Sequence, residues 1–80
     1  MNITEILSNP IRIQVMQYLQ TYGEATTKQI AEALRDVSAP TLYRHIHIML
    51  EQEVLIVKEE HKIRGSTERV LIINEEKFAT

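Results

Sequence analysis

Residues 38–57 read SAPTLYRHIHIMLEQEVLIV, and inside that stretch the hydrophobic period changes. Leu42, Ile46, Met49 and Leu50 recur at i, i+4, i+7 and i+8, which places them on one side of an α-helix. Ser38 stands where an N-cap belongs, and Pro40 falls in the first turn, where a missing N–H costs nothing. The spacing predicts a helix from about 38 to 52, roughly 20 Å long at 1.5 Å per residue. After Glu53 the pattern turns β-like. "VLIVKEEHK" and "TERVLIIN" are rich in β-branched and apolar residues, and "IRGS" between them, with Gly65, reads as a hairpin turn. Val70 to Ile73 leave no clean alternation, so the second strand is expected to have both faces covered.

Working outward toward the N-terminus, "TTKQIAEAL" predicts a second helix, with Thr26 and Gln29 spaced as a capping box and Ile30, Ala31 and Leu34 as its buried stripe. "RDVS" has turn character. Before it, "LSNPIRIQVMQYLQTYG" opens on Ser8 or Asn9 as a cap, with Pro10 in the first turn. Ile11, Val15, Tyr18 and Leu19 follow at helical spacing, Ile13 and Met16 widen the stripe, and Gly23 supplies a C-terminal stop. Residues Met1 to Leu7 suggest a short helical turn. Residues 74–80 are polar. The order is helix, helix, helix, hairpin, an α+β and mainly α arrangement in one domain spanning 1–80. Two helices joined by a tight turn and followed by a charged hairpin make a winged helix-turn-helix.

The totals bound the function. Eighty residues allow one small domain, and a composition of 44% hydrophobic and 25% charged is that of an ordinary globular chain. The chain has no cysteine, which excludes thiolate metal sites and cysteine nucleophiles and points to a reducing cytoplasm. No basic n-region opens the chain and no apolar run is long enough for a membrane span. No carboxylate pair, nucleophile–base set or phosphate-cradling glycine loop is present, so an enzyme is not expected. The formal net charge is −2, which at first argues against nucleic acid, but the charge is segregated. Lys62, Arg64 and Arg69 stand against Glu68 alone between 61 and 69, while most acids sit elsewhere, at Glu5, Glu24, Glu51, Glu53, Glu59, Glu60, Glu75 and Glu76.

In a helix-turn-helix the second helix lies in the major groove while the first crosses the backbone. Ser38, Ala39 and Thr41 are small enough for close approach at the start of that second helix. Arg44 offers a donor fork able to grip guanine in two places. Tyr43 and His47 are suited to phosphates or base edges, and Thr27 and Lys28 sit on the helix that crosses the backbone. His45 lies between the anchoring stripe and the displayed face, open to packing or hydrogen bonding as well as to DNA. A metal site built on His45, His47 and His61 is disfavoured, because residues at i and i+2 do not share a helix face. Ile48 lies away from the main stripe and, with Tyr22, hints at a protein interface.

The run "LSNPIRIQVMQYL…TTKQIAEAL…SAPTLYRHIHIMLEQEVLIV…RGSTERVLIINE" resembles the winged-helix domain of ArsR-type bacterial transcriptional regulators over nearly the whole chain. "NPIR", "TLYRH" and "RGSTERVLII" carry most of the likeness. The resemblance implies sequence-specific binding of double-stranded DNA by a homodimer, with Thr41, Tyr43, Arg44 and His45 at the groove and Lys62, Arg64 and Ser66 at the wing tip, within a wing of about 60–69. It also makes the chain a candidate N-terminal part of a longer regulator. Three departures stand out. The cysteine pair of metal-sensing members is missing, the turn "LRDVS" is one residue longer than the usual glycine-containing version, and Glu53 replaces a glycine common before the first wing strand. "TLYRH" is also similar to the recognition helix of TetR-type repressors, but the β-like sequence that follows decides against them. The alternative to DNA binding is a winged-helix module that binds protein, motivated by the negative net charge and the extra apolar surface. No cofactor is expected, and the effector, operator and direction of regulation are not specified.

Overall fold

A computed structural model describes residues 2–79. Local chemistry sets the helix ends. Asn2 caps α1 (Ile3–Ile6), its side-chain oxygen accepting from the Glu5 amide at 2.8 Å. Asn9, not Ser8, caps α2 (Pro10–Tyr22), accepting from the Ile11 amide at 2.9 Å. Gly23 ends that helix at φ 83°, a left-handed conformation that costs glycine little, and its amide donates to the Leu19 carbonyl. Residues Ala25–Thr26 then form β1, a strand the hydrophobic period gives no sign of. Thr26 also caps α3 (Thr27–Ala33) through the reciprocal box: its hydroxyl accepts from the Gln29 amide at 3.0 Å, and the Gln29 side chain accepts from the Thr26 amide at 2.8 Å.

The long helix α4 (Ala39–Glu51) follows a tight connection in which the Val37 amide donates to the Leu34 carbonyl. Ser38 occupies the N-cap position as expected, but its hydroxyl donates to Thr41 Oγ1 at 2.9 Å and makes no cap bond to the backbone. Strands β2 (Leu55–Ile63) and β3 (Ser66–Ile73) form the hairpin. Arg64 and Gly65 join them with φ of 49° and 84°, the two positive angles that a two-residue turn of type I′ demands. A bulge between Val57 and Glu59 leaves Lys58 unpaired in the ladder, which breaks the alternation of β2. The Lys58 ammonium instead meets Glu24 at 2.6 Å, and that hydrogen bond holds the lysine above its ordinary pKa.

The sheet order is β1-β3-β2, all antiparallel, so β3 is central. Ala25 pairs with Leu71 and Thr26 with Val70, and the neighbouring, oppositely facing Val70 and Leu71 are both buried. The core gathers Ile6, Val15, Leu19, Ile30, Leu42, Met49, Val54, Leu55 and Leu71, all at most 2% exposed. Each helix contributes its apolar stripe, and Leu34 joins them while Ala31 and Leu50 are half-buried. The C-terminal segment, polar by composition, makes a 3₁₀ turn at Glu75–Phe78 that lays Phe78 against the core. Four helices with a hairpin wing complete a winged helix-turn-helix.

Candidate nucleic-acid interface

The side of α4 that carries Leu42, Ile46 and Met49 is buried at 0–3% exposure, so the remaining residues are aimed by the helical period alone. Tyr43 (46% exposed), Arg44 and His47 lie on the outward face. Thr41 is half-buried, and Ser38 and Ala39 are exposed at the start of the helix. The His47 side chain meets Glu51 one turn on at 2.6 Å, so part of this face is occupied by a carboxylate. Ile48 is half-buried.

His45 departs from its expected place at the groove. It is 6% exposed and turned inward, its Nδ1 accepting from Arg12 Nε of α2 at 3.2 Å. The acceptor role fixes the neutral tautomer with the proton on Nε2. Burial, then the charges of Arg12 and Arg44, lower its pKa below the ordinary histidine value. His45 is therefore withdrawn from the outward-facing set: it ties α4 to α2. Arg12, inside the "NPIR" motif, is a partner that sequence reasoning did not identify.

On the wing, Lys62, Arg64 and Ser66 are exposed at or beside the turn. The Ser66 hydroxyl donates to the Ile63 carbonyl at 2.9 Å and so belongs to the turn itself. His61 faces Glu59 at 2.9 Å, and Arg69 Nε faces Glu60 at 3.4 Å across the hairpin. His45, His47 and His61 are thus engaged with three different partners, and no group of three or more histidines, aspartates or glutamates among the described residues is arranged to hold a metal.

Between α3, α4 and the hairpin lies a cleft of about 480 Å³, lined by Thr27, Lys28, Tyr43, Ile63, Ser66, Thr67, Glu68 and Arg69. It brings together four of the expected residues, Thr27, Lys28, Tyr43 and Ser66. A smaller depression of about 320 Å³ beside it adds Ile46, His47 and Leu50 and shares Thr27, Tyr43 and Arg69. Arg44 lines neither. It lies on the other flank of α4, close enough to His45 for its charge to be felt there. Arg69, one of the three cations of the basic run at 61–69, and Ile63, which the candidate set omits, are wall residues of the cleft. The signal of Ile63 was faint, because an isoleucine beside a turn is ordinary. A separate apolar groove, bounded by Leu7, Ile13, Met16, Ile73 and Phe78 with Gln17, Gln20 and Glu75 at its edge, shares no residue with the cleft. The lining of the cleft combines hydroxyl donors, the cations Lys28 and Arg69, the Tyr43 ring and one carboxylate, Glu68.

Three comparisons bear on this geometry. A family model described as a helix-turn-helix domain matches residues 7–58. The structure of the transcriptional regulator homologue protein from Pyrococcus horikoshii OT3 is similar, with a TM-score of 0.73 and 25% identity over 95% of this chain and 77% of that one. No curated protein matches the chain.

Proposed function

The chain belongs to the helix-turn-helix domain family, and from that premise we propose that it is an ArsR-like transcriptional regulator that binds double-stranded DNA sequence-specifically. In this reading α4 enters the major groove, α3 crosses the backbone with Thr27 and Lys28, and the hairpin reaches the adjoining backbone or minor groove with Lys62 and Arg64. Arg44 reads a base, guanine by preference, while Thr41, Tyr43 and His47 contact base edges or phosphates and Ser38 and Ala39 allow close approach. The protein acts in the cytoplasm as a homodimer on a pseudo-palindromic operator, its recognition helices about 34 Å apart. No metal or cofactor enters the reading. One observation carries it: a helix locked by its apolar side displays Tyr43, Arg44 and His47 beside a hairpin whose tip exposes Lys62 and Arg64. The role named for the structural neighbour supports it.

A binding titration tests the assignment. Arg44→Ala should cost roughly 1–3 kcal/mol and relax preference at one base position, whereas Lys62→Ala should weaken all sequences alike. Arg64→Asn is the cleaner wing variant, because asparagine suits the positive φ of the turn while the cation is lost. Unchanged affinity and selectivity in Arg44→Ala would overturn the register assigned to α4. Complete absence of binding to duplex DNA at low salt would favour the protein-binding module instead.

A further inference from the structure

We propose that the cleft between α3, α4 and the hairpin seats one sugar–phosphate strand of the duplex, with Ile63 packing on deoxyribose and Arg69 holding phosphate. This rests on the DNA-binding reading above and adds two contact residues to it. A single exposed apolar side chain needs no explanation. Here two large ones, Tyr43 at 46% and Ile63 at 48% exposure, stand on different walls of the same cleft, one on α4 and one on β2. The other lining groups are of a different kind. Lys28 comes from α3 and Arg69 from β3, so cations stand on separate walls, and Thr27 and Thr67 add hydroxyls.

An apolar surface interleaved with cations matches the alternation of a nucleic-acid backbone, in which C–H faces of sugars alternate with phosphates. Glu68 also lines the cleft, so phosphates belong on the Lys28 and Arg69 side and not against it. Arg69 Nε lies 3.4 Å from Glu60, and a guanidinium has five N–H donors in a fixed fork, so donors remain for phosphate. Arg69 also lines the depression that holds His47, which sets it between wing and recognition helix and not at the wing tip. A chain of net charge −2 has few phosphate contacts to spend, and an apolar sugar contact supplies affinity that salt does not screen.

Ile63→Thr and Arg69→Gln separate the two kinds of contact, since threonine keeps the β-branched shape of the strand residue and both positions are exposed. Each variant, and the unsubstituted chain, is titrated with a random-sequence duplex of about two helical turns across a salt series, with thermal melts to verify folding. Ile63→Thr should lose roughly three- to fivefold in affinity with an unchanged salt slope, the size expected for a methylene or so of lost apolar contact. Arg69→Gln should lose about fivefold, with a slope shallower by about one unit. Affinities and slopes equal to those of the unsubstituted protein in both variants would overturn the cleft assignment and leave the Arg44 reading standing. Failure of the unsubstituted protein to bind any duplex would overturn both.

Discussion

His45 joins α4 to α2 through a hydrogen bond that only the neutral imidazole can accept. Its place beside the apolar stripe of α4 is plain in the sequence, yet what it touches, Arg12, lies thirty-three residues away. No local pattern predicts that pairing. Because Nδ1 accepts from Arg12, protonation removes the acceptor and leaves a buried imidazolium beside Arg12 and Arg44. The folded-state pKa is therefore depressed, and the unfolded chain binds the proton more readily. The stabilisation is fully present above the unfolded value of about 6.5 and is lost as pH falls from there through the folded value. Urea melts of the wild type and His45→Gln at several pH values between neutral and mildly acid check this, since glutamine offers an oxygen acceptor that does not titrate. His47 and His61 are common to both proteins and cancel in the comparison. The wild type should lose stability more steeply on acidification, by up to about 1.4 kcal/mol per pH unit, and parallel curves would refute the coupling.

At the scale of elements, the legible parts are those whose signals are local: the Asn9 and Thr26 caps, the Gly23 stop, the helical period of α4 and the Gly65 turn. What escaped depends on distant partners. β1 exists because Ala25 and Thr26 meet Leu71 and Val70, and the bulge at Lys58 accompanies its contact with Glu24, thirty-four residues away. The junction of α4 with the wing lies between these cases. The absence of glycine at Glu53 is visible in the sequence, and its consequence is visible only in the backbone. Glu53 has φ 60°; its amide donates to the Leu50 carbonyl at 3.0 Å, and that of Val54 to Met49 at 2.9 Å. That is a Schellman ending with glutamate where glycine is easiest, held in place because Asn74 Nδ2 donates to the Glu53 carbonyl at 2.8 Å. A left-handed glutamate costs about 1–2 kcal/mol, of which the flexibility of unfolded glycine takes back about 0.5–1. Glu53→Gly should therefore stabilise the domain by about 0.5–1 kcal/mol and raise Tm by about 2–8 °C, with DNA affinity unchanged. A lower Tm in a thermal melt would show that the carboxylate side chain contributes more than the strain costs.

For the whole molecule the question is how an acidic chain holds a polyanion, and the layout of charge supplies an answer. Lys28, Lys62 and Arg64 line or flank the face built from α3, α4 and the wing, and none of the three is in an ion pair among the described residues. Of the carboxylates near that face, Glu51 is engaged by His47, Glu59 by His61 and Glu60 by Arg69, while Glu68 lines the cleft itself. With Arg69 included, about three or four phosphates are within the means of one protomer, which predicts a slope of log K against log salt of about −3 for a single copy. The protein is 40 Å along its longest axis, comparable with the roughly 34 Å between successive major grooves on one side of a duplex. Under the proposed two-fold arrangement both half-sites are engaged together, and the slope on a two-site duplex should double to about −6 while that on a half-site stays near −3. Titrations on the two duplexes, with sedimentation giving the protein-to-DNA ratio, check this. Equal slopes with one protein per duplex would refute the dimer and keep DNA binding; a slope near zero on both would refute an electrostatic hold on phosphate, and the DNA reading with it.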